Sequence, residues 1–76
     1  MARTLAALAR AQAKALETST WVGDRFAETS RAMHYGERDQ ETIHGQATSE
    51  EAVSLLEEGI AIAPLPFPVA PPDEIN

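Results

Sequence analysis

The 76-residue sequence has no cysteine. This excludes disulfides, thiolate metal sites and cysteine nucleophiles. It fits a cytoplasmic protein, and that is the expected location. There is no proline before Pro64, so no proline interrupts the helix signal of residues 4–34. Aromatics amount to Trp21, Phe26, Tyr35 and Phe67. No apolar run approaches the roughly 18 residues of a membrane span, and the basic, short apolar start is unlike a secretory signal. Glycines are few and isolated, so no glycine-rich phosphate loop is present. Gly-x-Ser-x-Gly is also missing, and no base is placed beside any serine.

Basic residues number six against twelve acids, a net charge of −6. Their distribution is uneven: residues 1–33 carry +2 and residues 34–76 carry −8. An acidic chain repels phosphate backbones, which disfavours nucleic acid as a general partner. The polarity suits self-pairing, in which a basic helix of one copy meets an acidic segment of another.

What is present is mainly helix signal. Residues 4–34 read as one long amphipathic helix, with Thr4 as its cap and six alanines between Ala6 and Ala15. Leu5, Leu8, Ala11, Ala15, Leu16, Val22, Phe26 and Met33 share one face, and the charged residues lie opposite. Gln12, Ser19, Gly23 and Ser30 dilute that face. Thr18-Ser19-Thr20 with Gly23 could mark a kink or a break. Residues 35–47 form a polar connector, with Gly36 as a helix C-cap.

A second helix is expected over 49–58. Thr48 and Glu51 have capping-box spacing, Ala52, Val53, Leu55, Leu56 and Ile60 supply an apolar side, and Gly59 stops the helix. Residues 1–63 thus form a helical domain. Residues 64–76 form an extended, proline-rich arm whose Leu65, Phe67 and Val69 alternate with prolines.

An uninterrupted helix of some thirty residues would be roughly 45 Å long at 1.5 Å per residue. A chain this small buries only about 60% of its unfolded surface, so it cannot cover such a rod alone. The expectation is therefore an oligomer: a small accessory or structural protein that associates with its own copy, docks on a larger protein, or does both. Leu8, Trp21, Val22, Phe26, Met33 and Tyr35 would be its contact anchors, and Leu65 and Phe67 the hooks of the arm.

Catalysis by this chain alone is not expected, and no cofactor is implied. Two alternatives stand beside this reading. One is a small acidic regulator of antitoxin type, binding a basic target or DNA. The other is a metal- or ligand-dependent enzyme with an interface site at His34 and His44. Those histidines, with Glu37, Asp39 and Glu41, are the only metal-like cluster, yet their spacing matches no helix-face pair or finger pattern.

Overall fold

The computed structural model describes residues 2–69. Five elements follow in order: α1 (Ala2–Leu16), β1 (Thr20–Gly23), α2 (Phe26–His34), β2 (Ile43–Gly45) and α3 (Ser49–Glu57). The fold is mainly α, with one small parallel sheet in which α2 connects the two strands.

The single long helix expected over 4–34 does not exist. Its alanine-rich part stops at Leu16, where Ser19 N–H bonds the Leu16 carbonyl and Thr18 Oγ1 bonds that of Ala15. The next residues, Thr18-Ser19-Thr20-Trp21-Val22, include β-branched and aromatic side chains that fit a strand better than a helix. Thr20 N–H enters the sheet by bonding the Thr42 carbonyl at 2.9 Å. Gly23, at φ 57°, turns the chain into α2. The connector expected over 35–47 supplies the partner strand β2 in its second half.

Trp21 pairs with His44 and Gly23 with Gly45, so β1 spends two residues against one and bulges at Val22. Gly45 lies so close to β1 that a Cβ there would overlap the Gly23 carbonyl oxygen and crowd Phe26.

Both later helices end in Schellman motifs. At α2, Glu37 N–H bonds the Ala32 carbonyl and Gly36 N–H that of Met33; Gly36 has φ 76°. At α3, Ile60 N–H bonds the Leu55 carbonyl and Gly59 N–H that of Leu56, with Gly59 at φ 85°. The expected capping box opens α3: Thr48 Oγ1 accepts from Glu51 N–H, and Glu51 Oε1 accepts from Thr48 N–H.

The second Schellman motif also places the core. Its hydrophobic pair, Leu55 and Ile60, closes on Ala27, with Phe26 and Ile62 packed around them. Leu55 is 0% exposed, and Met33, Thr29 and Ser30 of α2 are also buried. Residues 64–69 carry neither helix nor strand. The rest of the arm, including Pro71 and Pro72, lies outside the described residues. Among the described residues no helix is long and apolar enough to cross a membrane.

Candidate interaction surface

Helix α1 buries none of its residues. It has no extensive contact with another helix or strand. Its tie to the rest of the chain is polar: Gln12 Nε2 donates to the Phe67 carbonyl at 2.9 Å, and Phe67 N–H donates to Gln12 Oε1 at 3.2 Å. The amide thus pairs with the arm's backbone as a strand neighbour would. Ala9, Gln12 and Leu16 are half-buried, whereas Leu5 (49% exposed) and Leu8 (53%) remain open, as do Ala11 and Ala15. These four recur three or four residues apart and form one strip. Arg3, Arg10 and Lys14 are the helix's only charged residues, so it carries +3. Lys14 lies one turn from Ala11 and borders the strip.

Helix α3 has a matching outward face. Val53 (55% exposed) and Leu56 (56%) are neighbours at i, i+3. Glu50 and Glu57 flank Val53 at three and four residues' distance, and both are exposed. The sequence suggests a single apolar side holding Ala52, Val53, Leu55, Leu56 and Ile60. The structure instead divides it, sending Leu55 and Ile60 inward and leaving Val53 and Leu56 outside. The four apolar positions within these nine residues spread too widely around the helix for one face to bury them all, and Ile60 lies beyond its end.

The expected anchors are distributed unevenly. Leu8, Tyr35 and Leu65 are exposed. Phe26 packs on the core cluster and Met33 is buried, so these two serve the molecule's own interior. Trp21, Val22 and Phe67 are half-buried. Trp21 meets His44 edge-on, with ring centroids 5.5 Å apart. His44 Nδ1 in turn shares a 2.8 Å hydrogen bond with Ser19 Oγ. Ser19 and Gln12 look, in sequence, like residues that merely dilute an apolar face. Their contacts span 25 and 55 residues of chain, beyond the reach of any local pattern.

A half-open groove of about 1070 Å³ runs between β2, α2 and the segment after α3. Phe26, Met33, Ile43 and Leu56 contribute apolar wall, and His34, Glu41 and His44 reach it from the polar side. Glu37 and Asp39 are exposed in the turn after α2. Among the described residues no group of three or more His, Asp or Glu side chains is placed to hold a metal ion.

A charged cluster fastens the end of α3 to α2. Arg31 Nε donates to both carboxylate oxygens of Glu58, at 3.1 and 2.9 Å, and the Tyr35 hydroxyl donates to Oε1 at 3.0 Å. The Arg31 hydrogen bond, then that of Tyr35, holds the Glu58 carboxyl below its ordinary value of 4.5. The same hydrogen bond to Glu58, which is lost with the phenolic proton, raises Tyr35 above 10.0. A depressed carboxyl contributes stability above its unfolded value and loses it as the pH falls through the folded one. The chain should therefore weaken on acidification below about pH 4.5, the ordinary Glu58 value. Carboxyl NMR titration checks this: Glu58 should titrate below its ordinary value, and Arg31→Ala should return it upward. The raised Tyr35 contributes in the opposite sense, below its ordinary value, and that part is lost at alkaline pH.

The architecture is thus a small β-α-β unit with a helix on each side in sequence, the first helix nearly uncovered. Residues 1–70 match the model of the family described as Protein of unknown function (DUF1178), and the chain belongs to that family. No curated protein and no solved structure matches it.

Proposed function

We propose that this protein is an accessory or structural subunit that acts by protein–protein association, in the first place with a second copy of itself. What supports this role is α1, a fifteen-residue helix with no buried residue and an open leucine–alanine strip. An isolated helix of this length is marginal in water even when alanine-rich, and most helical stability comes from covering an apolar face. A partner that covers the strip supplies that missing burial, at roughly 25 cal/mol per Å² of apolar surface removed from water.

Leu8, Tyr35 and Leu65 are the exposed anchors of this reading. The arm acts as a clamp, and the paired Gln12–Phe67 hydrogen bonds support that role. A cytoplasmic location fits the cysteine-free composition.

Sedimentation across a concentration series tests the proposal. The purified chain should pass from monomer to a dimer or larger species, and its helicity should rise in parallel. Leu5→Ser with Leu8→Ser should shift it toward monomer while α2 and α3 stay folded. A compact monomer at all concentrations, with α1 fully helical, would overturn the proposal.

A further inference from the structure

The geometry points to a specific partner surface: α1 of one copy lies on the outward face of α3 of a second copy. This rests on the self-association just proposed and adds which two faces meet. Three observations carry it.

The first is charge. Helix α1 holds Arg3, Arg10 and Lys14 and no acid, whereas α3 holds Glu50, Glu51 and Glu57 and no base. The charges that border the exposed strips are Lys14 on α1 and Glu50 and Glu57 on α3, while Arg3 and Arg10, on the side of α1 away from its strip, add only to the positive field of the helix. Two strips of one kind would therefore bring like charges together. Only the crossed pairing sets opposite signs together, and like-charge juxtaposition is what suppresses wrong pairings at an interface.

The second is the layout of each face. On α3, Val53 and Leu56 are exposed together with Glu50 and Glu57 alongside. On α1, Leu5, Leu8, Ala11 and Ala15 form the strip, and Lys14 borders it. Each face is an apolar strip with charge at its edge. The alanines let the two backbones approach closely, so Val53 and Leu56 can sit between Leu8 and Ala15.

The third is reach. Within one chain α1 has no extensive contact with α3, and the Gln12–Phe67 pair holds α1 against the arm instead. The α3 face is therefore left for another molecule. If each copy gives α1 and accepts α1, two copies close into a two-fold pair with both strips covered.

The absence of cysteine makes the test direct, because every disulfide formed must join introduced thiols. One preparation carries Leu8→Cys and another Val53→Cys, both at exposed positions. Mixed and mildly oxidised, they should give a covalent dimer containing one chain of each, at several times the yield of either variant alone. Charge reversal supplies a second readout. Glu50→Lys with Glu57→Lys should weaken association about tenfold, and mixing that variant with a Lys14→Glu chain should restore part of it.

A dimer by sedimentation that cross-links chiefly Leu8→Cys to Leu8→Cys, or that ignores the charge reversals, would overturn this pairing and leave self-association standing. A monomeric wild-type chain would overturn both.

Discussion

Leu55→Ala should lower the folding stability by about 2–5 kcal/mol, the range for emptying a leucine site in a packed interior. Among the described residues no other large side chain is so completely enclosed: Leu55 is 0% exposed and clusters with Ala27 of α2 and Ile60 beyond α3. It is also the residue whose carbonyl accepts from Ile60 N–H, so it joins the end of α3 to the chain that follows. A domain of this length buries little apolar surface in total, and stabilities of about 5–15 kcal/mol are usual even for ordinary domains. Losing 2–5 of them should shift a thermal transition by roughly 4–8 °C for each kcal/mol, and can unfold the α2–α3 pair at room temperature. Urea titration followed by far-UV circular dichroism measures it. Leu56→Ala, one residue along and 56% exposed, is the control and should leave the midpoint of the monomer nearly unchanged. Equal losses for the two would mean that the core is not centred on Leu55.

Gly45→Ala should destabilise by about 1–3 kcal/mol, as overpacking typically does. The reason is contact and not backbone conformation. The nearest atoms to an added Cβ are the carbonyl oxygen and the nitrogen of Gly23, followed by the Cβ of Phe26. Backbone cannot rotate away as a flexible side chain can, so β1 and β2 would have to separate. Loss of the Gln46 N–H to Gly23 carbonyl bond, 2.8 Å in length, should follow and appear as faster amide exchange at Gln46. Gly36 gives a useful comparison. Nothing lies within 4 Å of a Cβ at that position, yet its φ of 76° strains any other residue. Gly36→Ala should therefore cost about 1 kcal/mol through the backbone alone, fraying the end of α2 without opening the sheet. Unchanged exchange at Gln46 in Gly45→Ala would contradict the close strand approach.

The legible parts of the sequence were those governed by short-range rules. Thr48 and Glu51 lie three apart, and their reciprocal hydrogen bonds form wherever a helix starts between them. Gly36 and Gly59 permit the left-handed turn that closes a Schellman motif, so the ends of α2 and α3 were set locally. The alanines of α1 likewise specify a helix by intrinsic preference. The same local logic misled across residues 17–25. Leu16, Val22 and Phe26 continue a helical period, and no proline interrupts them, so periodicity alone extends the helix. The deciding contact is between Thr20–Gly23 and Ile43–Gly45, about twenty residues away along the chain, and helical spacing carries no record of it.

The candidate surface divides in the same manner. The opposed charges of α1 and α3 can be counted in the sequence, and so can the leucines of the first helix. Which apolar residues face out could not be read there. Met33 and Phe26 look like equals of Leu8 until the β-α-β unit turns α2 inward. Val53 and Leu56 look like companions of Leu55 until α3 settles on α2 with room for one leucine beneath it. By itself the sequence determined the helix-forming segments, their caps and the charge each carries, because these depend on residues within one turn of each other. Tertiary structure alone decided where the long helix breaks, which strand pairs with which, and which apolar side chains are left for a partner. Those outcomes come from contacts between distant segments competing for a small interior.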